Sequence, residues 1–324
     1  MNANLQKLCE DFIVNREAAA KAFMFDYSYI YPVVANIFTA YGRTTTPEEL
    51  KESRRVIEEN TGFFSNFLGN IRPLLAATLA LSAEAQSQMQ LAKDYYQLLK
   101  QEFLSSEYLA LAAFLLTELV NVSQLNEKIE RGKTLYKRMK KEHPFLTGTE
   151  DSVLAVLMAF SEKSDDALIE DMERCYQALK ARFSIGDALQ TVSHVLALAD
   201  GRPEDKADRL ITLYNALRDA GIKYGKNYEL PTLAALSLAD APIETLVQEI
   251  AEVDAFLKTQ KGYGILMTSA QQRAMHAAMI VSDQYAPRER VNIAAMASTI
   301  AMIVATEIAI YAAIAASSAS SSSN

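Results

Sequence analysis

The sequence predicts an all-α protein, a multi-helical array of about four imperfect four-helix repeats that is either α-solenoid-like or a compact superhelix. Three observations predict it. A residue pattern recurs about every 78 to 84 positions. Half of the 324 residues are hydrophobic and there are only 11 Gly and 8 Pro, so the chain can bury a large core and carries few strand-and-turn signals. Prolines fall just inside segment starts, after residues such as Thr46 and Asp240 that can cap, where they open helices and do not break them.

The recurrence is visible residue by residue. Leu75-Ala76-Ala77 with Ser82 returns as Leu154-Ala155-Val156 with Ser161 and as Leu233-Ala234-Ala235, each step being 79 residues. Tyr96-Gln97-Leu98-Leu99-Lys100 with Phe103 becomes Tyr176-Gln177-Ala178-Leu179-Lys180 with Phe183, and Thr134-Leu135-Tyr136 becomes Thr212-Leu213-Tyr214. With the helices of one unit labelled a to d, the first unit lacks a and begins with b near 3–24, c near 28–41 and d near 47–60. Full units start close to 71, 150 and 230, which gives repeat units of about 1–65, 70–145, 150–225 and 230–316 in a single domain, 1–316, of about fifteen helices. The turn Lys261-Gly262-Tyr263-Gly264 is an insertion in the last unit.

Helices a and c are the apolar ones, as in the run from Ser106 to Leu116, and are expected inside. Helices b and d carry most of the charge. In d of the second unit, Ile129, Leu135 and Met139 fall at helical spacing among Lys128, Arg131, Lys133, Lys137, Arg138, Lys140 and Lys141. A basic face of this kind reads first as a solvated surface and second as a docking site for an acidic partner.

Two stretches, His143 to Leu157 and Gly186 to Leu196, resemble a bacterial family, the domain-of-unknown-function (DUF) 4003 family. They carry a hydrophobic-Thr-x-x-x-Asp helix start, Leu146-Thr147 to Asp151, and a Leu-Gln-x-x-Ser-His helix, Leu189-Gln190 to His194. The resemblance extends to about residue 285 and implies no activity, ligand or catalytic residue.

The last d helix departs from its template. From Val291 to Ala316 its one ionisable acid is Glu307, and it is otherwise rich in Ala, Ile, Met, Val and Thr. Its large residues, including Ile293, Ile300, Val304 and Ile308, crowd one side and alanines the other, which predicts a packed helix or a homodimer interface. A tail anchor in a membrane is the alternative for 291–316, opposed by the cost of Glu307 in lipid. The Ser-rich end, 317–324, is expected to be disordered.

Chemistry-bearing residues are few. Gln190 and His194 lie four apart, as do Gln272 and His276, at equivalent unit positions, so each pair forms a polar strip on one face of an apolar c helix. The strips either line a concave ligand pocket, with Arg273 close by, or crosslink neighbouring helices through buried hydrogen bonds. Three His without metal-ligand spacing and two distant Cys, Cys9 and Cys175, predict no metal, no cofactor and buried free thiols. A net charge of −8 argues against nucleic-acid binding, and a start without a basic segment and apolar core leads to an expectation of a cytoplasmic location. The leading expectation is a non-enzymatic scaffold for a protein or peptide partner. The alternatives are a small-ligand binder or enzyme using Gln190, His194, Gln272, Arg273 and His276, and a membrane-surface protein held through 291–316.

Overall fold

The computed structural model describes residues 1–63, 65–264 and 267–285. Among these residues the chain forms fourteen α-helices and no strand. They are α1 (Ala3–Ala22), α2 (Ile30–Ala40), α3 (Pro47–Glu59), α4 (Arg72–Leu81), α5 (Ala85–Glu102), α6 (Glu107–Leu119) and α7 (Leu125–Glu142). The second half comprises α8 (Asp151–Met158), α9 (Asp165–Leu179), α10 (Asp187–Leu198), α11 (Pro203–Asp219), α12 (Leu230–Ser237), α13 (Ile243–Lys258) and α14 (Ala270–Tyr285).

Local chemistry sets the helix starts. Asn2, Thr46, Ser106 and Ser164 each accept a backbone N–H of the first turn on a side-chain oxygen. Pro47, Pro73, Pro203 and Pro231 occupy first-turn positions, where a missing N–H costs nothing. Asp240 does not take the capping role: α13 follows Pro242 without a side-chain cap.

Apolar content then sorts the helices into two layers. In the even-numbered helices almost every residue through the middle is buried, whereas the odd-numbered ones bury a stripe and expose the rest. Each odd helix packs on the even helix that follows it, giving seven hairpins with the apolar member inside. Neighbouring inner helices touch all the way round, α2 on α4 through to α12 on α14, and α14 in turn touches α2. The outer layer closes as well, because α13 touches α1. The array is therefore a closed double ring, and the open solenoid considered from sequence is not adopted. The structural hairpins are b–c and d–a, so the unit read from sequence begins in the middle of a hairpin.

Half-buried cations fasten the far end of the inner layer. Arg131 of α7 donates to the carbonyls of Ala159, Ser161 and Lys163 just beyond α8, and pairs with Asp165 at 2.7 Å. Seventy-eight residues on, Arg209 of α11 donates to Ser237, Ala239 and Ala241 beyond α12, at 2.6, 2.8 and 2.5 Å. Lys163 reaches Ala197 in the last turn of α10 and Ala199 just beyond it in the same way. These carbonyls are the ones a helix end leaves without intrahelical donors. Arg131 belonged to the basic face expected to be solvated; here it is a bracket between hairpins, while Lys133 pairs with Glu102 and Arg138 with Asp166.

The apolar segment 291–316 and the tail 317–324 lie outside the described residues. Among the described residues no helix is long and apolar enough to cross a membrane.

Candidate functional site

Every outer helix leads into its inner partner at the same end of the ring, so the connections 23–29, 60–71, 103–106, 143–150, 180–186, 220–229 and 259–269 share one face. That face carries nine of the thirteen exposed large apolar side chains among the described residues. Met24, Phe25, Tyr27 and Tyr29 come from the first connection, and Phe63, Leu104, Phe145, Ile185 and Met267 from five others. Phe25 is 93% and Phe145 98% exposed. Five of the seven outer helices end at this face with basic residues in the last turn, Lys21, Lys100, Lys140, Lys141, Arg218 and Lys258, whereas α3 ends in Glu58-Glu59. Acidic first turns, such as Glu48-Glu49 and Asp165-Asp166, lie at the opposite end. Most of these charges sit at the helix terminus that favours them, although Glu58, Glu59, Glu102, Glu142 and Asp219 also stand in last turns.

The two motifs that carry the family resemblance meet at this face. Gln190 of α10 donates from Nε2 to Thr147 Oγ1 at 2.8 Å, and His194 Nδ1 lies 3.4 Å from Asp151 Oδ1 at the start of α8. The His194–Asp151 contact is within ion-pair range but lacks hydrogen-bond geometry, since Nδ1 has no bonded partner. Asp151 also accepts the Gly148 N–H at 3.0 Å, which shapes the turn ahead of α8. All four motif side chains are buried. The Glu150 carboxyl beside them is raised to about 7, mainly by burial and further by the charges of Asp151 and Asp187.

The second strip is placed differently. Gln272 and His276 of α14 line a cavity of about 100 Å³ at the seam where the last hairpin meets the first. Arg16 of α1, Tyr29 and Tyr228 form its other polar walls. His276 is 7% exposed, lies 3.1 Å through Nδ1 from the Tyr263 hydroxyl, and is pushed down to about 3 by burial and by the Arg16 charge. Arg16 stacks over the Tyr263 ring at 4.8 Å and donates from Nη1 to the Lys261 carbonyl at 3.2 Å. Gly262, with φ of +87°, allows this approach: a Cβ there would stand 2.5 Å from Arg16 Nη1.

The five residues singled out from sequence therefore divide. Gln190 and His194 join α8 to α10, Gln272 and His276 face the seam cavity, and α12 stands between the two groups. Arg273 joins neither: it pairs with Asp254 of α13 at 2.8 Å. Arg16, Tyr29 and Tyr228 escaped the sequence reading, although the inserted Gly262-Tyr263-Gly264 turn marked the place they converge on. Cys9 and Cys175 are buried free thiols pushed up to about 12 and about 11, chiefly by burial.

A wider groove of about 490 Å³ on the same face is lined by Phe63, Asn66, Tyr108 and Thr149 among others.

Comparison with known proteins adds a family and no activity. A family model described as protein of unknown function (DUF4003) matches residues 15–309, past residue 285 and into the apolar C-terminal segment. The chain is similar to the uncharacterized protein YeaA of Bacillus subtilis (strain 168), 33% identical over 215 residues that span 63% of this chain and 64% of that protein. No solved structure matches. With its two interlocking motifs at the heads of α8 and α10, the chain belongs to the DUF4003 family of proteins of unknown function.

Proposed function

We propose that the protein is a non-enzymatic binding scaffold whose working surface is the loop-bearing face of the ring, and that its partner is a protein or peptide presenting apolar side chains. The observation that carries this reading is the concentration of exposed Phe, Leu, Ile and Met on one face, contributed by six of the seven connections. Single exposed apolar residues are ordinary on a protein surface, whereas a set gathered on one face marks an interaction surface. Lysines and an arginine in five of the outer helices' last turns stand among acids there, so both charges border the patch. Aromatic and methionine side chains of this kind supply most of the energy in docking patches.

The test replaces the two most exposed phenylalanines, F25S with F145S, and compares proteins recovered with tagged full-length chain from cells. Removing two such anchors is expected to weaken retention of the partner by about 2 kcal/mol or more, roughly thirtyfold, while Y41S at the opposite end has no effect. Equal recovery by all three chains refutes the reading. Retention on anionic vesicles that needs Phe25 and Phe145, with no protein retained, assigns the face to a lipid surface instead.

A further inference from the structure

We propose that the cavity at the closure seam is a binding site for the oxyanion head, carboxylate or phosphate, of a small molecule, with Arg16 as its principal ligand. The inference does not depend on the docking surface, although Tyr29 and Met267 of that face flank the cavity opening.

Charge is the first argument. Among the described residues Arg16 is the one cationic side chain lining the cavity, and neither Asp nor Glu lines it. Among the described residues Arg16 forms no ion pair, and its Nε is buried without a hydrogen-bond partner. A guanidinium with N–H groups to spare suits a carboxylate or phosphate that accepts two of them. Its one hydrogen bond here goes to the neutral Lys261 carbonyl, so a fork of donors is left for a ligand. His276 is neutral near pH 7, which leaves Arg16 as the source of positive charge.

Preorganisation is the second. The Tyr263 ring under the guanidinium and the bare backbone of Gly262 beside it fix Arg16 in place before any ligand arrives. The inserted turn of the last unit supplies both contacts. Inner helices α2 and α14 also begin at the cavity, directing the positive ends of their dipoles toward it.

Size sets the ligand class. A volume of about 100 Å³ equals that of about three waters, enough for a carboxylate or phosphate head and too small for a nucleotide. Tyr29 and Met267, both partly exposed, flank the opening, so the body of the molecule meets an apolar rim.

The test uses the full chain with inorganic phosphate and with benzoate, against chloride at equal ionic strength. In the wild type, either anion is expected to slow modification of Arg16 by phenylglyoxal, read by peptide mass spectrometry, without slowing other arginines. Calorimetric affinity is expected to fall about tenfold or more in R16Q and by less in R16K, which keeps the charge and loses the fork. Protection by phosphate alone identifies a phosphorylated ligand, and protection by benzoate alone a carboxylate. Labelling of Arg16 unaffected by both anions, or R16Q binding as tightly as wild type, overturns the proposal. The labelling experiment needs no variant, so misfolding of R16Q leaves it decisive.

Discussion

His276 illustrates how the ring changes a single side chain. The corresponding turn of the inner helix holds Phe38 in α2, Phe114 in α6 and His194 in α10, all buried, so the position is a packing position first. Where α2 and α6 hold phenylalanine, α10 and α14 hold histidine, and each histidine has a polar neighbour, Asp151 for His194 and Tyr263 for His276. Burial and the nearby Arg16 guanidinium hold the His276 imidazole at about 3, against 6.5 in the unfolded chain. Below 6.5 the unfolded chain takes up a proton that the folded protein refuses, so stability falls as pH drops through 6.5 toward 3. Each unit of separation corresponds to about 1.4 kcal/mol when fully expressed. In H276Q this contribution disappears: the loss of urea midpoint between about pH 7 and about pH 4.5 should be smaller than in the wild type. An unchanged pH slope would show that His276 is already charged, or already solvated, in the folded protein.

At the scale of elements, helix ends explain both what the sequence disclosed and what it concealed. Helix starts such as Thr46-Pro47, Ser106-Glu107 and Ser164-Asp165 needed nothing beyond local signals, a cap or a proline placed ahead of an apolar period. The sorting of inner from outer helices was legible for the same reason, since the inner helices α6 and α10 are mostly apolar and buried almost all round. The role of Arg131 and Arg209 was not legible: a cation at an amphipathic position looks solvated until the next hairpin brings three carbonyls to it. Replacing Arg209 by Met keeps the stem and strands the carbonyls of Ser237, Ala239 and Ala241. We expect R209M to lose about 2–3 kcal/mol in urea denaturation, and R202M, on a surface arginine, less than about 0.5 kcal/mol. Equal losses for the two would mean that water replaces the guanidinium at no cost.

For the whole molecule the decisive contacts are those that join the first helix to the last hairpin. Arg16 and Lys261 are 245 residues apart, and no local pattern announces that such residues meet. Repeats by themselves fit an open array or a closed one equally well, because both satisfy each unit through its neighbours. Half of the seam site was readable for this reason: Gln272, His276 and the glycine turn departed from the unit template, whereas Arg16 and Tyr29 belong to the site only through closure. The seam is a real part of the core. Leu5, Leu8, Cys9 and Phe12 of α1 share one buried cluster with Leu257, Tyr263, Ala277 and Ile280 of the last hairpin, while Ala18, Ala19 and Ala22 of the same helix belong to the cluster built by α2 to α8. Helix α1 therefore ties the two halves of the ring together, and Phe12, fully buried and 6.5 Å from the His276 ring, stands at the junction. In an open array a defect in the first helix loosens its neighbours and fades along the chain. In a closed ring it reaches the last hairpin as directly as the second. F12A should cost about 3–5 kcal/mol. It should also raise amide hydrogen exchange in α13 and α14 as much as in α2, with less change across the ring in α6 to α8. Exchange that rises only in α1 to α3 would show that the ring opens at the seam in solution.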